Sequence, residues 1–132
     1  MASIHQDIQL GVTSGEAWAA VRDFGAVHER VAPGFVIDAR RDGNDRIVKF
    51  HTGATARERL VTIDDERHRL VYTVVESQLG FAHHQASVEV VDTGQAGCRL
   101  SWTADVLPDT VAATVNALME QGAAAIVRAL AG

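Results

Sequence analysis

A chain of 132 residues, 47% hydrophobic and 22% charged, with a formal net charge of −5, can bury about two-thirds of its surface and still hold a pocket. The acidic balance and the lack of a basic stripe argue against nucleic acid as a partner, nothing in the composition suggests disorder, and no apolar run reaches membrane-spanning length. The single Cys98 excludes an internal disulfide framework and fits a reducing compartment, and the start Met1-Ala-Ser-Ile-His lacks the regions of a signal peptide. Residues 1–132 are therefore expected to form one cytoplasmic α+β domain without stable membrane insertion; a homodimer stays open.

The first element is an alternating strand, Ile4 to Leu10, with Ile4, Ile8 and Leu10 on one face. Thr13-Ser-Gly-Glu16 matches a capping box, and a helix should follow with Trp18, Val21 and Phe24 on its apolar face. Gly25 ends it or bends it into a short second helix through His28 to Val31. After Pro33-Gly34, Phe35 to Arg40 and Arg46 to His51 read as two strands around the turn Asp42-Gly43-Asn44-Asp45. Alternation in the second of these turns Val48 and Phe50 inward.

Four longer strands follow: Ala56 to Asp64, Arg69 to Ser77, His83 to Asp92 and, after Thr93-Gly-Gln-Ala-Gly97, Cys98 to Leu107. The last sets the inside face most clearly, because Cys98, Leu100, Trp102, Ala104 and Val106 alternate with polar residues. In the strand before it, Ala82, His84, Ala86, Val88 and Val90 form the inward set. Asp109 can cap a terminal helix about 30 Å long, whose stripe Val111, Val115, Leu118, Met119, Gly122, Ile126 and Leu130 covers the sheet. Gly122 to Ala125 carry little side-chain volume and leave room beneath it.

A two-residue turn at Glu66-Arg67 would need residues tolerant of positive φ, so a three-residue loop, Glu66 to His68, is expected. Asp64 then faces Leu70, Thr62 faces Tyr72, Leu60 faces Val74 and Glu58 faces Glu76. An odd-length loop Gln78 to Ala82 brings His84 beside Glu76. The outcome is a polar cluster, Glu58, Glu76 and His84, at one end of an apolar cavity lined by Val48, Phe50, Leu60, Tyr72, Val74, Trp102 and Met119. Two inward carboxylates would raise at least one pKa.

The segments Glu58-Arg-Leu-Val-Thr-Ile-Asp-Asp-Glu-Arg-His-Arg-Leu-Val-Tyr72, Val74-Val-Glu-Ser77 and Cys98-Arg-Leu-Ser-Trp-Thr-Ala-Asp105 resemble the polyketide cyclase/dehydrase-like branch of the SRPBCC superfamily. The likeness runs from Ala17-Trp-Ala-Ala-Val-Arg-Asp-Phe24 to the terminal helix. It implies the helix-grip fold of lipid-transfer START domains, birch pollen allergens and plant abscisic acid receptors: a curved seven-stranded antiparallel sheet wrapped around a long C-terminal helix, with one or two short helices between strands 1 and 2. In those receptors the Glu of a similar Glu-Arg-Leu segment lines the ligand pocket, which implies that role for Glu58; aromatic positions on the next two strands carry over to Tyr72 and His84. The short His51-Thr-Gly-Ala-Thr55 and Ser77-Gln-Leu-Gly-Phe81 segments depart from the receptors' gate and latch. No lysine near Val31 to Gly34 matches their carboxylate anchor, so hormone sensing is not implied.

Each candidate also has a plainer reading. Trp102, Phe50 and Met119 are by default core residues. Tyr72 can satisfy its hydroxyl on the backbone, Glu58 can pair at a rim with Arg57 or Arg59, Glu76 can be a solvated strand end, and His83-His84 an exposed pair. The histidines lack metal-ligand spacing, Cys98 has no evident base partner, and neither a nucleophile elbow nor a phosphate or dinucleotide loop occurs. No metal or cofactor is expected. Two functions follow: non-covalent binding of a small hydrophobic molecule (lipid, isoprenoid, polyketide or aromatic metabolite) as carrier or sensor, or a cofactor-free polyketide cyclase or dehydratase. In the enzyme, Glu58, Glu76 or His84 would act as acid or base while Tyr72 stabilises an enolate oxygen.

Overall fold

The computed structural model describes residues 1–131; Gly132, the last residue of the expected domain, lies outside them. Seven strands, β1 (Ala2–Leu10), β2 (Val36–Asp42), β3 (Asp45–Phe50), β4 (Thr55–Asp64), β5 (Arg69–Ser77), β6 (His83–Gly94) and β7 (Gly97–Leu107), make one antiparallel sheet ordered β1-β7-β6-β5-β4-β3-β2. Among the described residues, three α-helices complete it: α1 (Ser14–Arg22), α2 (Val27–Arg30) and the long α3 (Ala112–Ala129). This is the helix-grip arrangement expected from the sequence. No helix among the described residues is long and apolar enough to cross a membrane.

Local chemistry explains most boundaries. The Thr13 hydroxyl accepts the Glu16 amide at 3.1 Å and starts α1, satisfying one of the donors that a helix N-terminus leaves free. Glu16 closes this cap by accepting from the same hydroxyl instead of reaching the Thr13 backbone. α1 ends at Arg22, before Gly25, which lies in the 3-10 turn Phe24–Ala26 that leads into α2. A Cβ at Gly25 would stand 2.6 Å from Cγ of Arg41, so the glycine serves the close passage of β2. Asp109 does not cap α3; it opens a 3-10 turn, Asp109–Val111, and its carboxylate pairs with the Met1 amino group at 3.1 Å.

The β4–β5 hairpin corrects the expected register. Its loop has four residues, Asp65 to His68, because Asp64 pairs with Arg69. Asp64 accepts the Glu66 and Arg67 amides, and His68 takes the left-handed backbone conformation. α1 holds this loop in place: Trp18 Nε1 and Arg22 Nε both donate to Asp65, at 2.9 and 2.8 Å, and the Trp18 indole stacks on the His68 ring. Two bulges, at Val61 and Val75, then shift the pairing again. Leu60 consequently faces Tyr72, Glu58 faces Val74 and Glu76 faces Arg57.

α3 lays Val115, Met119, Gly122, Ala125 and Ile126 on the sheet. The space at Gly122 is filled, since a Cβ there would lie 3.0 Å from the Trp102 ring and 3.2 Å from Phe35. Glycine lets the indole touch the helix backbone. The cavity runs along the helix past Val115, Leu118, Met119, Gly122 and Ile126.

Candidate binding cavity

The inner faces of β3 to β7, α3 and the segment between α2 and β2 enclose a cavity of about 160 Å³. Of the residues expected to line it, Val48, Phe50, Glu58, Tyr72, Val74, His84, Trp102 and Met119 do so. Leu60 and Glu76 do not. Leu60 is half-buried and packs on the edge of the core. Glu76 is exposed and borders a separate groove with Thr55, Arg57 and Gln78; the bulge at Val75 carries it away from Glu58. The expected convergence of Glu58, Glu76 and His84 is therefore absent, and so is the repulsion between two carboxylates.

Glu58 is buried, and its partner is neither Arg57 nor Arg59. Arg46, directly opposite on β3, donates from Nε to Glu58 Oε1 at 2.7 Å, with both side chains about nine-tenths covered. Arg46 also donates from Nη1 to the Phe24 carbonyl at 3.2 Å, and its guanidinium lies 4.0 Å from the Phe24 ring centre and 5.0 Å from that of Tyr72. A buried ion pair needs this additional hydrogen bonding and stacking to offset desolvation. Sequence reasoning missed Arg46. The signal was present, since the alternation that turns Val48 and Phe50 inward turns Arg46 inward with them.

Tyr72 is buried, and its hydroxyl accepts from Trp102 Nε1 at 3.2 Å. Burial and then the nearby Glu58 charge push its pKa well above the usual phenol range, so it stays protonated. His84 stands where β5 and β6 separate. Their ladder runs from Arg69–Glu89 to Tyr72–Ala86 and stops. Beyond it, the Val74 amide donates to His84 Nδ1 at 3.0 Å, and the Thr73 hydroxyl donates to the His84 carbonyl. His84 thus sits beside Val74, not Glu76, and its ring replaces a ladder bond so that no backbone donor is stranded. Burial lowers the His84 pKa, outweighing the opposing pull of Glu58, and the ring is neutral near pH 7. From the loop between the parted strands, Leu79 and Phe81 add to the cavity lining. Among the described residues, no group of three or more His, Cys, Asp or Glu side chains is placed to hold a metal. Cys98 is buried, and its thiol pKa is raised chiefly by burial.

The sheet, the gripping helix and the apolar cavity with one polar end define an SRPBCC-type domain. The family model for polyketide cyclase/dehydrase and lipid transport matches residues 1–131, and the chain belongs to that family. Among solved structures, a solution structure from Thermobifida fusca is 27% identical, with TM-score 0.81 over 99% of this chain and 91% of that one. The di-domain aromatase/cyclase BexL of the BE-7585A biosynthetic pathway superposes with TM-score 0.81 at 14% identity, over 97% of this chain and 46% of that chain. Norcoclaurine synthase from Thalictrum flavum, in complex with dopamine and hydroxybenzaldehyde, gives TM-score 0.65 at 18% identity, over 92% and 83% of the two chains. The latter two share the fold. No curated protein matches the chain.

Proposed function

We propose that this protein binds a small hydrophobic molecule in the cavity between sheet and helix, as a carrier or sensor. The observation that carries this reading is the cavity, about 160 Å³ in volume and mostly apolar, with polar side chains from Arg46, Glu58, Tyr72, Ser77 and His84. An engineered apolar cavity of about 150 Å³ holds benzene, so the space open here suits one ring. Lipids, isoprenoids or polyketides of larger size would have to extend beyond this space or displace its lining. The two single-ring aromatics bound to norcoclaurine synthase support a ligand of this scale.

The family description and the aromatase/cyclase neighbour favour a second reading, a cofactor-free polyketide cyclase or dehydratase. Its base would have to be Glu58, because Glu76 lies outside the cavity and His84 Nδ1 already accepts a backbone amide. Glu58 would then have to act from inside its ion pair with Arg46. Binding without chemistry makes fewer demands on these residues and is the better reading.

The test is an amide-resolved NMR titration of the full chain with single-ring hydrocarbons. Saturable shifts on β7 and α3 are expected, together with a raised unfolding temperature. Val74→Phe, which fills the cavity, should abolish both. Absence of any saturable binding by apolar compounds would overturn the proposal.

A further inference from the structure

The polar end of the cavity has a definite hydrogen-bonding sense, and this deepens the binding reading on which it rests. We infer that the ligand is uncharged and presents an accepting oxygen, of the ketone, aldehyde or ester kind, to two donors: the Tyr72 hydroxyl and Nε2–H of His84.

The Tyr72 oxygen receives the Trp102 indole proton, so the tyrosine's own proton remains to be donated, and no acceptor takes it among the described residues. The residue is 6% exposed and lines the cavity. The oxygen already has one partner, and the hydroxyl's own proton is free for an acceptor bound in the cavity. His84 supplies the second donor. Its Nδ1 accepts the Val74 amide, so in the neutral ring the proton resides on Nε2. Among the described residues Nε2 has no hydrogen-bond partner. The Tyr72 and His84 rings are 5.9 Å apart, centre to centre, and both side chains line the cavity, so the two residues border the same part of it.

Charge selects the kind of oxygen. Among the described residues, the Arg and Glu side chains that line the cavity are Arg46 and Glu58, and they pair with each other at 2.7 Å. A carboxylate or phosphate would meet no unmatched cation and would add a negative charge beside Glu58. A hydrocarbon would leave both donors without acceptors. A neutral carbonyl oxygen, with two lone pairs, meets both conditions.

Three probes of nearly equal size separate these cases: acetophenone, α-methylstyrene, in which CH₂ replaces the carbonyl oxygen, and benzoate. In NMR titrations of the full chain at pH 7.5, acetophenone should bind about three- to ten-fold more tightly than α-methylstyrene, the value of a net neutral hydrogen bond. Benzoate should bind more weakly than either. Tyr72→Phe should bring the ratio for the first two probes toward one. Independently of binding, ¹⁵N shifts of the His84 ring should show the Nε2–H tautomer. Equal affinity for acetophenone and α-methylstyrene, preference for benzoate, or an Nδ1–H tautomer would each overturn the inference while leaving apolar binding intact. Failure of both neutral probes to bind would overturn the binding reading and this inference with it.

Discussion

Asp45 and Arg46 are consecutive on β3, and each anchors an ion cluster on a different face of the same two strands. Outside, Asp45 accepts from Arg57 Nη1 at 2.7 Å and Arg59 Nε at 2.8 Å; its carboxylate is covered as fully as the inner pair, but its cover is these two arginines, of which Arg59 is more than half exposed. Inside, Arg46 meets Glu58 beneath Phe24 and Tyr72, with both side chains about nine-tenths covered. Alternation along the strand is the whole difference in geometry; the difference in energy comes from water. The outer arginines, if Asp45 is lost, can turn to solvent or another carboxylate, whereas a charge orphaned inside has no substitute.

The largest expected effect is therefore on the inner pair. Arg46→Met should destabilise the protein by roughly 3–5 kcal/mol, the usual cost of leaving a buried charge unpaired. Adding Glu58→Leu to that variant should restore much of the loss, because both charges are then gone. Urea unfolding of the single and double variants measures the coupling. If Arg46→Met cost no more than a surface substitution, the contrast between the two faces would collapse.

Legibility in the sequence followed the same division between pattern and partner. The strands, the Thr13 cap and the inward set of β7 each declare themselves over a few neighbouring residues, and the structure has them. The pairing of β4 with β5 does not, because the bulges at Val61 and Val75 leave no mark on the alternation and the four-residue loop is held in part from α1. Trp18 and Arg22 of α1 hold Asp65, a tether no local window reveals. One bulge was enough to send Glu76 to Arg57 and leave Glu58 to Arg46. Arg46 itself was hidden by its charge, which reads as outward wherever its buried counterion is unrecognised.

A second, smaller effect is expected where β5 and β6 part. His84→Ala removes the acceptor of the Val74 amide and should cost about 1–3 kcal/mol, the penalty for a stranded buried donor. The pH dependence sharpens this. Because burial lowers the folded-state pKa of His84, its contribution is fully present above the unfolded histidine value of about 6.5. It is lost as pH falls below that value toward the lowered folded one, since the unfolded chain takes up the proton first. His84→Gln retains an acceptor and cannot titrate, so the difference between its urea midpoints at pH 7.5 and 5.5 should be smaller than in the wild-type protein. An identical pH dependence would mean that His84 titrates normally and that its ring does not bridge the strands.

The smallest effect belongs to the outer cluster, and it should appear mainly as a change in acid behaviour. Hydrogen bonds from Arg59 and then Arg57 lower the Asp45 pKa to about 2. A depressed carboxylate contributes stability above its unfolded value, near 3.9, and that contribution disappears as pH falls through the folded value. Wild-type and Asp45→Asn proteins should therefore differ modestly at pH 7 and converge as pH drops from about 4 to 2. Neighbouring water and the freed arginines limit the loss at neutral pH, since their guanidinium groups can turn to solvent or to Asp42, which Arg57 already reaches at 2.9 Å. Arg46 has no such alternative. If Asp45→Asn cost as much at pH 7 as Arg46→Met, access of the partners to solvent would not be what separates the two faces, and the Arg46–Glu58 pair would not be the closed ion pair inferred at the cavity.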